Sequence, residues 1–230
     1  MTKLAVIIPA AGSGSRLGSR IPKPFIELEG STILEHTIRA FLNVPSLSEI
    51  VIPTSKESVG RVEDIFKSLD REDLKMMVVE GGSERQYSIH NALKCVSDEI
   101  DLVAVHDAVR PFISANLIEA CCEKAVGVGA SIIAVPAKDT IKRINEAYLI
   151  DGTPDRKFLW QAQTPQIFKK EIILEAYESA RSNGFIGTDD SSLVEQLGYE
   201  VGVVEGDRRN LKITYPIDLK IAELILKEEI

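Results

Sequence analysis

Apolar runs alternate with stretches of helical period along the chain. Leu4 to Ile8 is an unbroken apolar run that stops at Pro9, the pattern of a strand buried on both faces. Thr32 and Glu35 then read as a capping box for a helix to about Asn43. Glu49 to Pro53 is a second apolar strand, Glu57 to Leu69 has helical spacing, and Lys75 to Val79 is a third strand closed by Gly81-Gly82. Ser83 and Gln86 predict another capping box, opening a helix through Val96. Leu102 to Val105 is a fourth strand ending in His106-Asp107. Ser114 caps a helix to about Gly127, and Ser131 to Val135 is a fifth strand. Further on, Glu171 to Asn183 is a helix stopped by Asn183-Gly184, and Thr188 or Asp189 caps the next, through Leu197. Glu200 to Val204 and Leu211 to Thr214 read as strands. The last helix starts at Pro216, a favoured first helical position.

This rhythm predicts one α/β domain over residues 1–230: a Rossmann-like, mostly parallel sheet with helices on both faces. In such sheets ligands sit beyond the carboxyl ends of the strands, where the loops at 10–23, 81–88 and 106–110 fall. Residues 137–160 break the pattern. Thr140 to Ile144 alternates, Tyr148 to Ile150 is a short apolar run, Asp151-Gly152-Thr153-Pro154 reads as a turn, and Phe158 to Trp160 is apolar again. A protruding β-arm is expected, too thin to bury a core of its own. A second subunit is the natural surface for it, so a homodimer is expected.

Composition narrows the function. At 44% hydrophobic, the 230 residues suffice for a core. A net charge of −8 argues against a general nucleic-acid binder but leaves room for a local basic cleft that holds anions. Cys95, Cys121 and Cys122 are odd in number and two are adjacent, which fits neither a disulfide framework nor a zinc site. Reduced cysteines, no signal-peptide pattern and no membrane-length apolar run lead to the expectation of a cytoplasmic protein with no membrane partner.

The candidate chemistry gathers after the first strand. Ala10, Ala11, Gly12, Ser13 and Gly14 let the backbone approach a ligand closely, and its N–H groups suit phosphate oxygens. Arg16 and Lys23, the latter between Pro22 and Pro24, add full positive charge. Neither Gly12 nor Gly14 starts a Walker A loop, and Leu17 stands where a Rossmann fingerprint needs its third Gly or Ala. Gly81-Gly82-Ser83 with Ser88 suits either a nucleobase edge or a plain glycine turn. Asp107 at a strand end suits Mg²⁺, a ribose hydroxyl, or an ion pair with Arg110; His106 reads as a packed strand residue.

The strand followed by P-A-A-G-x-G-x-R-L-G and P-K resembles the nucleotidyltransferases that activate sugars and polyols. Within that family the chain is most similar to the 2-C-methyl-D-erythritol 4-phosphate cytidylyltransferases. G-G-x-x-R-x-x-S, V-H-D-A-x-R-P, P-x-x-D-T-x-K, D-R-x-x-L-W, T-P-Q, T-D-D and N-L-K-I-T recur in order across nearly the whole chain. The resemblance implies transfer of CMP from CTP to 2-C-methyl-D-erythritol 4-phosphate, with pyrophosphate leaving, in non-mevalonate isoprenoid precursor synthesis. It implies catalytic roles for Arg16, Lys23, Arg156 and Lys212, and CTP contacts from Ala10, Ala11, Gly12, Gly14, Gly82, Ser83, Ser88, Asp107 and Ala108. Asp107, Arg110, Thr140, Arg156, Thr164, Thr188 and Lys212 would hold the polyol phosphate, with Thr140 and Arg156 supplied by a partner's arm. Mg²⁺ would lean on Asp107, directly or through water. Arg85 belongs to the pattern with its role open. Ser15 replaces a second loop arginine, and Ser83 an acidic residue, found in some members. Two alternatives remain: a D-ribitol 5-phosphate cytidylyltransferase, or a non-catalytic nucleotide-binding regulator of the same fold. A dinucleotide-binding oxidoreductase is disfavoured by Leu17 and by Pro53-Thr54 at the end of the second strand.

Overall fold

The structure is a computed structural model that describes residues 2–12, 21–69, 71 and 73–228. The chain folds as β1 (Leu4–Ile7), a small ribbon of β2 (Glu27–Leu28) and β3 (Ser31–Thr32), then α1 (Ile33–Phe41), β4 (Leu47–Thr54), α2 (Val59–Leu69), β5 (Lys75–Glu80), α3 (Arg85–Leu93) and β6 (Leu102–Val105). It continues through α4 (Ala115–Val128), β7 (Ala130–Pro136), a second ribbon of β8 (Arg143–Ile144) and β9 (Ile150–Gly152), and β10 (Trp160–Lys169). The last elements are α5 (Lys170–Asn183), α6 (Asp190–Gln196), β11 (Gly202–Glu205) and α7 (Pro216–Leu226).

Seven strands form one sheet in the order β11-β7-β10-β6-β1-β4-β5. Only β10 runs against the others. The Rossmann-like, mostly parallel expectation holds. Alternate residues of β1 and its extension divide between the two faces: Leu4, Val6 and Ile8 pack under α1, α2 and α4, while Ala5 and Ile7 meet α3 and α5. A third small cluster joins Leu28 and Ile33 to Ile213 and Ala222, seating α7 beside the first ribbon. From β1 the chain moves outward to β4 and β5, then returns to the other side of β1 as β6. The crevice at the carboxyl ends of β1 and β6 is therefore the topological switch point.

Several local readings need correction. Thr32 accepts from the Glu35 amide, but Ser83 does not cap α3; Glu84 occupies that position without a side-chain bond. Leu211 to Thr214 is not a strand. Its backbone touches the neighbouring segment through Ile213 N–H to the Val109 carbonyl at 2.9 Å, and the Ile213 side chain fills the third cluster. The arm turns at Asn145–Leu149, where the Asn145 carboxamide accepts from the Ala147 and Leu149 amides, and not at 151–154, where Ile150–Gly152 is strand. The strand β10 had no counterpart in the pattern reading. It brings Gln163, Thr164 and Gln166 into the middle of the sheet.

Candidate active site

A cleft of about 410 Å³ opens at the switch point. Its floor is the end of β1, where Pro9, Ala11 and Gly12 line it. Lys23 and Pro24 close one side, the loop after β5 another, and Asp107 to Val109 with Lys212 to Thr214 the third. The two glycines after β5 have a steric reason. A Cβ on Gly81 would stand 2.7 Å from Cβ of Ala11, and one on Gly82 would stand 2.5 Å from Cβ of Tyr87. A side chain at Gly81 would push the loop away from the end of β1, and one at Gly82 would collide with the first turn of α3.

Asp107 is the electrostatic centre. It leaves β6 nearly buried, with its amide donating to the Thr164 hydroxyl oxygen at 3.0 Å. Lys212 Nζ lies 3.0 Å and Arg110 Nε 3.2 Å from its Oδ2, and Arg85 Nε 3.7 Å from its Oδ1. Burial by itself would raise the carboxyl's pKa. The charges of Lys212, Arg85 and Arg110 outweigh it and hold Asp107 well below the usual carboxylate range. Three cations, Lys212, Arg85 and Arg110, face two carboxylates, Asp107 and Asp190, so this cluster carries one net positive charge inside a chain whose overall charge is negative. Lys23 donates from Nζ to the Thr214 carbonyl at 2.9 Å, tying the Pro-flanked turn Lys23–Phe25 to the segment that carries Lys212.

Beneath Asp107, His106 is fully buried, its Nε2 2.9 Å from the Arg110 carbonyl and its ring edge-on to Phe41. Burial pushes it down to about 4, so at neutral pH it is an uncharged packing residue, as read from the sequence. Cys121 and Cys122 are buried thiols pushed up to about 12, and all three cysteines are free, so neither buried thiol is a nucleophile at neutral pH.

The structure sorts the candidate residues. Ala11, Gly12, Lys23, Gly82, Ser83, Ser88, Asp107, Ala108 and Lys212 all line the cleft. Ala10 sits just behind it, with its N–H donating to the Pro53 carbonyl. Gly14 and Arg16 fall outside the described residues. Several of the candidate side chains have partners within the chain. The Ser88 hydroxyl accepts from the Gly82 amide at 3.0 Å and donates to the Glu84 carbonyl at 3.0 Å, so it braces the loop. Arg110 binds Asp107 and the Asn210 carbonyl (2.7 Å), which is the ion-pair alternative raised for it. Thr164 holds the Asp107 amide, and Asn210 in turn donates to the Thr164 carbonyl at 2.9 Å. Thr188 is exposed and lines a neighbouring cavity of about 210 Å³, which shares Glu84 and Arg85 with the cleft. Thr140 and Arg156 lie on the exposed arm, where Arg156 donates to the Lys138 carbonyl; neither lines the cleft of its own chain.

Sequence reasoning left Arg85 without a role. Its guanidinium grips Asp190 with two bonds, at 3.1 and 2.7 Å, and the Tyr177 hydroxyl donates to the same carboxylate. The i, i+4 and strand patterns hold no signal for such a contact, because its partners lie 92 and 105 residues along the chain. No group of three or more His, Cys, Asp or Glu that could cage a metal exists among the described residues. Asp107 and Glu84 are the carboxylates among the described residues that line the cleft. No described helix is long and apolar enough to cross a membrane.

Residues 4–228 match the family model of 2-C-methyl-D-erythritol 4-phosphate cytidylyltransferase (IspD). A curated 2-C-methyl-D-erythritol 4-phosphate cytidylyltransferase of Solibacter usitatus is 44% identical over 237 residues, covering 99% of this chain and 97% of that one. One of Caldanaerobacter subterraneus is 39% identical, covering 98% and 99%. Among solved structures, 4-diphosphocytidyl-2C-methyl-D-erythritol synthase from Anaerococcus prevotii superposes with a TM-score of 0.88 at 34% identity, covering 98% of this chain and 96% of that one. The Thermus thermophilus cytidylyltransferase gives 0.80 at 33%, covering 98% and 100%. The chain belongs to the 2-C-methyl-D-erythritol 4-phosphate cytidylyltransferase family.

Proposed function

From that membership we propose that the chain transfers CMP from CTP to 2-C-methyl-D-erythritol 4-phosphate, releasing pyrophosphate and 4-diphosphocytidyl-2-C-methyl-D-erythritol. The observation that carries the reading is the pair of lysines, Lys23 and Lys212, that line the cleft together with Asp107 at the switch point of the sheet.

In this reading the acceptor's phosphate oxygen attacks the α-phosphorus of CTP in line. A phosphate monoester is largely dianionic at neutral pH, its second pKa being about 6, so no general base is required. That agrees with a cleft whose nearby histidine is buried and neutral. Catalysis then rests on positioning and on charge placed beforehand where the transition state needs it. Lys23 and Arg16 neutralise charge on the α-phosphate and departing pyrophosphate. Lys212 draws in the acceptor phosphate while Asp107 keeps its ammonium in place. Gly82 and Ser83 offer backbone groups to the cytosine, and Ala11 and Gly12 offer theirs to the triphosphate. Mg²⁺ would be held by Asp107, directly or through water, and would supply further charge on the triphosphate oxygens.

The arm extends the reading to a cytoplasmic homodimer in which Thr140 and Arg156 of one protomer complete the acceptor site of the other. Its exposed Tyr148, Leu149, Ile150 and Phe158 support this, since such a patch on a thin ribbon asks for a covering surface.

The test is pyrophosphate release with CTP and Mg²⁺, comparing 2-C-methyl-D-erythritol 4-phosphate with D-ribitol 5-phosphate. Turnover with the first acceptor is expected. Preference for the second would move the assignment to another cytidylyltransferase, and CTP binding without turnover on either would favour a regulator.

A further inference from the structure

Arg85 stands in the wall common to the 410 Å³ cleft and the 210 Å³ cavity beside it. It opens α3 directly after the loop proposed to read the base, and its contacts run away from that loop. Two of its nitrogens grip Asp190, the first residue of α6, while Nε faces Asp107 at the end of β6. Asp190 is almost fully buried, with Tyr177 of α5 donating to its Oδ1 from the core side. The next residue repeats the link. Gln86 donates from Nε2 to the Phe185 carbonyl at 2.9 Å and accepts the Gly187 amide at 3.0 Å. Two consecutive side chains of α3 thus pin the segment 185–190, which includes Thr188.

Burying a carboxylate is costly unless it is paired, and a buried ion pair is often no more stable than a well-packed apolar pair. What a bidentate fork supplies, and a greasy contact does not, is a fixed geometry. We propose that Arg85 is a positioning residue: its fork to Asp190 locks the loop on the base side of the cleft to the 185–190 segment on the acceptor side, and its third nitrogen steadies Asp107 between them. The inference rests on the function proposed above and deepens it. Lys212 must be shared between Asp107 and an incoming phosphate, and Arg85 and Arg110 keep the carboxylate from following the lysine.

The experiment compares Arg85→Gln, Arg85→Lys, Asp190→Asn and Tyr177→Phe in the full chain. Pyrophosphate release gives KM for each substrate, thermal melting gives stability, and hydrogen exchange follows the amides of 185–191. Arg85→Lys keeps the charge and loses the fork. Arg85→Gln, Arg85→Lys and Asp190→Asn should each raise the acceptor KM at least ~10-fold and leave the CTP KM within ~3-fold. Combining Arg85→Gln with Asp190→Asn should add little to either alone. Tyr177→Phe should lower the melting temperature and leave the acceptor KM within ~3-fold. Exchange at 185–191 should quicken in both Arg85 variants. A normal acceptor KM in Arg85→Lys overturns the proposal, as does a KM that follows melting temperature through all four variants. Unchanged exchange overturns it even if the wild-type chain turns over neither acceptor, an outcome that would by itself sink only the proposed reaction.

Discussion

At the carboxyl edge of β1 and β6, side chains from four parts of the chain converge on Asp107, and their polar groups are paired with one another. Between β7 and β10 the arm shows the opposite economy. Tyr148 is 85% and Phe158 74% exposed, while Arg143 and Asp151 form an ion pair open to solvent. The cleft is held by contacts distant in sequence, such as Arg85 with Asp190 and Lys23 with Thr214. The arm is held by neighbours: Arg143 with Asp151, Lys142 with Thr153, and Asn145 with the turn it encloses. One region pairs its described polar groups within a single chain, and the other presents apolar surface that folding of that chain leaves uncovered.

Changing charge in the cleft gives the largest expected effect. Lys23→Ala should lower kcat for pyrophosphate release at least ~100-fold, the scale of removing one preorganised electrostatic donor. Near-normal turnover would remove Lys23 from the chemistry.

Acid should act on the buried histidine beneath Asp107. His106 has its folded pKa depressed to about 4 from 6.5 by burial, so below pH 6.5 the unfolded chain takes up a proton that the folded one refuses. Its stabilising contribution is present above pH 6.5 and is lost as pH falls towards 4, by up to about 3 kcal/mol. Asp107, also depressed, adds a loss at still lower pH, below the unfolded carboxylate range. Urea midpoints between pH 4 and 7 should fall with acid in the wild type and flatten in His106→Gln. An equal slope in both would reject the assignment.

The arm is tested by complementation. Arg156→Ala should lower turnover at least ~10-fold if its charge completes a partner's site. Lys23→Ala and Arg156→Ala protomers, co-expressed, should then recover activity in about one site in four, because a mixed dimer holds one intact site. No recovery would place Arg156 in the cleft of its own chain or outside the reaction. The smallest effect belongs to Phe158→Ser. It should shift the stability of an isolated protomer by no more than ~0.5 kcal/mol and still weaken self-association in sedimentation.

How far the sequence could be read follows the same division. The apolar run of β1, the Thr32, Ser114 and Asp189 caps and the Gly184 stop are local signals, and the structure contains them. β10 was hidden because the alternation of Trp160 to Gln163 breaks at Thr164-Pro165-Gln166, polar residues and a proline in the middle of a central strand. Their polarity is satisfied by distant partners: Gln163 donates to the Asp207 carbonyl, and Gln166 donates to Asp189 while accepting the Ser191 amide. Gln86 misled for the same reason, since its amide is drawn to 185–187 instead of to its own helix start. Motif resemblance brought Asp107, Lys212 and Arg110 together by name. Only geometry shows that Arg110 faces Asp107 and Asn210 and does not line the cleft.

The antiparallel strand β10 has a further consequence for engineering. The chain leaves the sheet at Pro136 and re-enters at Trp160, and these two residues already sit opposite each other in the β7–β10 ladder. The Ala137 amide, just past that exit, still bonds to the Leu159 carbonyl at 2.9 Å. The arm is thus an insertion with its two ends pre-joined, in the place where a short hairpin turn would fit. A longer, shorter or foreign ribbon placed there should leave unmoved the register of β6, which ends two residues before Asp107, and of β10, which carries Thr164.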